Sequence, residues 1–207
     1  SQFTFCQQSD CVSTNQTPTV ASVTMTQSTA GDGDVTISFI MDDPDDDDTL
    51  RAKIQYSLDG GSTWADPTLS TTGSETTATY GAPGIDNTKE YQVGRGTYIT
   101  TSSGANTVTV VWEAATDVLA TTDIANAKVK VKPYDMVTEG TSVGSSGSTL
   151  DLVSPASLAS LASSNVSGVS ADFTWTAATD SNFNHYEIWY GSSQSDVQNR
   201  TGTATEW

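Results

Sequence analysis

Apolar and polar positions alternate with a period of two along most of this chain, and no stretch of helical length spaces its apolar residues by three and four. Alternation sends successive side chains to opposite faces of an extended backbone, so the pattern predicts half-buried β-strands and little or no helix. Three strands are expected first, in "TVASVTMTQ" (19–27), "DVTISFIM" (34–41) and "LRAKIQYSL" (50–58), joined by turns rich in Gly and Asp. "DGGSTW" then reverses the chain tightly, because Asp-Gly-Gly supplies the positive φ that a hairpin demands. Two more polar strands are expected around 75–80 and 91–101, on either side of "GAPGIDN", followed by "NTVTVVW" (106–112), "AKVKVKPYD" (127–135) and "STLDL" (148–152).

That pattern divides the chain into an extended arm over 1–16, a sandwich over 17–153 and a second unit over 154–207. In the second unit "SADFTWTAATD" and "NHYEIWYGSS" alternate as an antiparallel pair would. An echo between "VVWEAATD" (110–117) and "FTWTAATD" (173–180) points to duplication.

Composition narrows the partners. Twenty-five acidic residues stand against 8 basic ones in 207, a net charge of −17, and a surface of that sign cannot neutralise phosphates, so nucleic acid is excluded. A polyanion instead stays soluble, avoids anionic membranes and draws divalent cations. No run reaches the ~18 apolar residues of a spanning helix, and the opening "SQFTF" reads as a mature or trimmed product. Cys6 and Cys11 in "CQQSDC" can close a small disulfide loop, which fits an oxidising compartment; two free thiols are the alternative. Asn15, Asn165 and Asn199 begin glycosylation triplets. Together these point to an extracellular or cell-surface location.

Residues 154–207 resemble the start of a fibronectin type III domain, with a proline-led first strand, Trp175 on the second and Tyr186, Ile188 and Tyr190 on the third. The resemblance implies a core role for those residues, and the later strands of that sandwich are not among them. Residues 17–153 resemble Ig-like modules of prokaryotic surface proteins, through the aspartates after the second strand, "YSLDGGSTW", "VVW" and "KVKVKPYD". The fold expected is therefore all-β, tandem Ig-like and fibronectin III-like β-sandwiches with the second incomplete. Ser57, Asp59, Gly61, Thr63 and Trp64 also fit the Asp-box of sialidase-type propellers, where the motif stabilises a hairpin. A propeller repeats it in every blade; here it occurs once, which leaves a hairpin.

The sequence offers no catalytic set. Its single histidine, His185, sits in a strand beside Glu187 and Trp189, and there is no phosphate loop, zinc spacing or dinucleotide fingerprint. Tyr91, Tyr98, Trp189 and Trp207 are candidates for a sugar-binding platform, while Trp64 and Trp112 are expected inside.

Six aspartates crowd the seven residues from Asp42 to Asp48. Either the loop stands open in solvent, or a cation sits there. Antiparallel strands would bring Asp135 and Glu139 to the same pole, so Asp42, Asp43, Asp45, Asp47, Asp135 and Glu139 could supply the six to eight oxygens that calcium prefers. A calcium site predicts that calcium raises the melting temperature and chelator lowers it.

The expectation that follows is a structural protein of a surface stalk, coat or filament, with itself or other surface proteins as partners. An adhesin or carbohydrate-binding accessory module that binds glycans is the alternative. Phe173, Trp175 and Ile188 would form an open apolar face, and Phe3 and Phe5 in the arm of a neighbouring subunit alternate as a donated strand would.

Overall fold

The computed structural model describes residues 14–46, 48–119, 123–153, 160–167, 170–177 and 185–206. Cys6, Cys11, Phe3, Phe5, Asp47 and Trp207 lie outside the described residues. The protein is all-β and built from antiparallel sheets, and the chain divides after Val153 into two units.

In the first unit the strands are β1 (Thr19–Gln27), β2 (Val35–Asp42), β3 (Arg51–Ser57), β4 (Thr77–Ala78), β5 (Asn106–Trp112), β6 (Ile124–Tyr134), β7 (Val143–Gly144) and β8 (Ser148–Leu150), with one turn of helix, α1 (Ala114–Asp117), after β5. One sheet has the order β1-β2-β5-β4. The other has β3-β6-β7, with β8 also on β6. This division of strands is compatible with an Ig-like sandwich, in which the first, second, fifth and fourth strands face the third, sixth and seventh.

The alternation in the sequence is what closes this sandwich. Val35, Ile37, Phe39 and Met41 of β2 point inward beside Val108, Val110 and Trp112 of β5, and Ala52, Ile54, Val129 and Val131 meet them from the opposite sheet. Tyr56 stacks on Trp112 across the layers, ring centroids 4.5 Å apart. The Trp112 indole N–H, wholly buried, donates to Asp117 Oδ2 at 2.7 Å, so α1 supplies the acceptor that a buried indole requires. A bulge between Ala21 and Thr24 shifts the register of β1 where Ser22 takes a φ of +51°.

The hairpin after β3 is built by the Asp-box residues. Ser57 Oγ accepts from Gly61 N at 2.8 Å, and Asp59 Oδ1 accepts from Ser62 N and Thr63 N, each at 2.9 Å. Asp59 Oδ2 takes the Thr63 hydroxyl at 2.7 Å. Gly60 and Gly61 have φ of +75° and +105°, and Tyr56 and Ala65 exchange backbone bonds that close the turn.

The expected strand over 91–101 does not form. Its backbone pairs with β3 and the residue before it through isolated bridges, Ala52 with Val93 and Leu50 with Ile99, because Gly94 and Gly96, at φ of +91° and +78°, break the extended backbone between them.

The second unit holds β9 (Ala162–Ser164), β10 (Asp172–Thr174), β11 (Trp189–Tyr190), α2 (Gln194–Asn199) and β12 (Thr205–Glu206). β10 pairs with β9 and β11 with β12. The two alternating segments expected to pair with each other thus take different partners among the described residues.

Candidate functional site

Two regions gather the residues that the sequence singled out. At one pole of the first unit, β1 begins opposite the end of β2, with Thr19 across from Asp42, and β3 begins opposite the end of β6, with Arg51 across from Tyr134. Antiparallel pairing therefore brings the aspartate loop and the turn after β6 to the same end, and residues just before β1 reach both. Gln16 donates its backbone N–H and side-chain amide to Asp45, at 2.5 and 3.1 Å. Asn15 Nδ2 donates to Asp135 Oδ2 at 2.8 Å.

Several of the described carboxylates of this pole accept from donors of the protein. Asp43 Oδ1 accepts from Asp45 N at 2.8 Å, Asp42 Oδ1 from Asp43 N at 3.1 Å, and Asp48 Oδ1 from the backbone of Thr101 and Ser102, each at 3.0 Å. Buried Asp135 takes Val137 N and Thr138 N on Oδ1, and the Thr138 hydroxyl besides Asn15 on Oδ2. Burial raises its carboxyl, but these donors together outweigh burial and hold it below its ordinary value. Glu139 turns to Lys132 and to the Tyr91 hydroxyl, and the Lys132 bond is the chief reason its carboxyl is held down.

Among the described residues no three His, Cys, Asp or Glu side chains converge as a cation ligand set. The Asn15 amide, tied to Asp135, Thr138 and Gln16, would lose donor capacity on glycosylation. Asn165, at φ of +48°, donates to Asp172, and Asn199 closes α2 on the surface.

The second region is a groove of about 700 Å³ in the second unit, whose lining includes Leu161, Phe173, Trp175, Tyr186, Ile188 and Tyr190. Trp175 meets Tyr186 edge to face, with centroids 5.3 Å apart. Phe173 is 50 % exposed and Tyr190 56 %, so these apolar rings stand at the surface. Along one rim, Glu187 accepts from Trp189 Nε1 at 3.2 Å and pairs with Arg200 at 2.9 Å, and His185 lies 3.4 Å from it. His185 is exposed.

Two of the candidates for a sugar platform, Tyr91 and Tyr98, lie in the first unit. Tyr91 is buried and stacked on Tyr134, 4.6 Å between centroids, and Tyr98 lies under Arg51. Trp64, expected inside, is half-buried with Lys130 Nζ 4.2 Å above its ring. Sequence reasoning missed what Lys130 and its neighbours do together. The signal was there, in the K-x-K-x-K of "AKVKVKPYD", whose alternation puts all three lysines on one face.

No protein-family model, curated protein sequence or solved structure matches this chain.

Proposed function

We propose that this chain is an extracellular structural protein, a non-enzymatic subunit or segment of a surface stalk, coat or filament that assembles by strand donation. The observation that supports this most directly is the open aromatic groove of the second unit. Fully burying an exposed side chain of this kind is worth roughly 1.5–3 kcal/mol, and because Phe173, Trp175 and Ile188 are already partly covered, a strand laid over them gains a fraction of that from each before its ordering cost. The short strands β9 to β12 offer backbone edges to such a strand.

The occupant in this reading is the arm "SQFTF" of another copy, with Phe3 and Phe5 entering the groove. Arm and groove are different surfaces, so the contact is heterologous and propagates unless it closes into a ring. Deleting residues 1–5 and imaging purified material by electron microscopy is the test. Loss of ordered polymer with an intact fold supports strand donation; the same polymer with the same stability removes it.

A second reading rests on the same rings. Trp189 and Tyr190 at the groove could stack against sugar faces, which would make the protein an adhesin or accessory glycan-binding module. Monomers that bind soluble glycans by calorimetry would favour it.

A further inference from the structure

The cations of this chain are concentrated. Of its eight lysines and arginines, Arg51, Lys53, Lys128, Lys130 and Lys132 all lie on β3 and β6. The register sets Lys53 opposite Lys132 and Lys130 opposite Gln55, while Ala52, Ile54, Val129 and Val131 between them enter the core. Alternation therefore collects the five on the outer face of one sheet.

Only two of the five have carboxylate partners among the described residues, Lys53 with Glu90 at 3.1 Å and Lys132 with Glu139. Arg51 lies 5.2 Å over the Tyr98 ring and Lys130 4.2 Å over the Trp64 ring. Lys53 and Lys132, which face each other across the two strands, are each matched by their own carboxylate, so Arg51, Lys128 and Lys130 are the cations of this face without a carboxylate partner among the described residues. Outside it three cations stand among 25 acidic residues. The densest acid is the aspartate pole, where Asp42, Asp45, Asp46 and Asp48 are exposed.

We propose that the basic outer face of β3 and β6 docks the aspartate pole of a second copy of this chain. The inference rests on the reading of the protein as a self-assembling subunit, and it names a contact separate from the aromatic groove. Complementary charge steers the two surfaces together and fixes their register, with the Trp64 ring as a flat apolar surface beside Lys130. Face and pole differ, so this contact too is heterologous and propagates along an axis.

Sedimentation of the full chain at about 0.15 M and about 1 M salt, where the screening length falls from about 8 to about 3 Å, tests the contact, because the repulsion between two chains of net charge −17 is already screened beyond contact range at the lower of the two. Association is expected at low salt and weakens by about tenfold or more at high salt. Lys128→Glu with Lys130→Glu abolishes it, as does Asp42→Lys with Asp46→Asn, and mixing the two variants restores it. Lys128→Gln with Lys130→Gln gives the same loss in milder form should the reversal fail to fold.

Association that ignores both salt and the lysine changes, yet is lost on deleting residues 1–5, overturns this contact and leaves strand donation standing. Variants that lose association but fail to complement each other exclude the pole as the occupant. Wild-type monomers at every salt concentration overturn both.

Discussion

Asp59 is the residue on which the hairpin after β3 turns, because its two oxygens collect the amides of Ser62 and Thr63 and the Thr63 hydroxyl. The Thr63 amide and hydroxyl, then Ser57, hold its carboxyl far below the ordinary 3.8. A carboxyl whose folded pKa is depressed contributes stability that is full above its unfolded pKa and is lost as pH falls toward the folded one. Asp48, Asp86, Asp135, Glu139, Glu187 and Asp196 shift in the same direction, whereas burial and the neighbouring Asp32 push Asp34 the other way. We predict that the melting temperature falls as pH drops through and below about 4. Asp59→Asn should lower it at pH 7 and flatten part of that acid slope; an unchanged slope would show that the hairpin does not set it. The motif that specifies this turn was legible in the sequence because all its partners lie within eight residues.

At the scale of elements, legibility followed burial on alternate positions. β2 and β5 carry four inward residues each and appear where the pattern set them, since a shift of one residue would send Phe39 and Trp112 to solvent. Segment 91–101 lacks that constraint. Its Tyr91, Val93 and Ile99 are buried, but glycines at positive φ route them to the core from a loop, and a period-two pattern does not distinguish the two routes. The short pairings β9–β10 and β11–β12 escaped for a related reason: each spans two or three residues, too few to show a period. Phe39→Ala, in a strand paired on both sides, should cost about 3–5 kcal/mol by the lost transfer energy and the cavity left behind, measured by denaturant unfolding. A loss under about 1 kcal/mol would mean that the two sheets do not enclose Phe39 in one packed core.

Over the whole molecule the excess of acid acts against compactness. A net charge of −17 repels itself over distances that salt screens, so salt should raise the melting temperature of the dilute monomer while weakening association through the basic face. Opposite responses in the two measurements would separate self-repulsion from docking, and a melting temperature that falls with salt would contradict the first. The sequence by itself determined the strand class, the inward and outward faces of the long strands, the Asp-box turn and the sign of the molecular charge, because each depends on neighbours within a few residues or on composition alone. Only the tertiary structure decided which strands share a sheet, that Asn15 and Gln16 tie the aspartate pole to the turn after β6, that Glu139 faces Lys132, and that five cations gather on one face. Those depend on residues separated by up to 123 positions, whose meeting is fixed by sheet pairing and burial rather than by any local pattern.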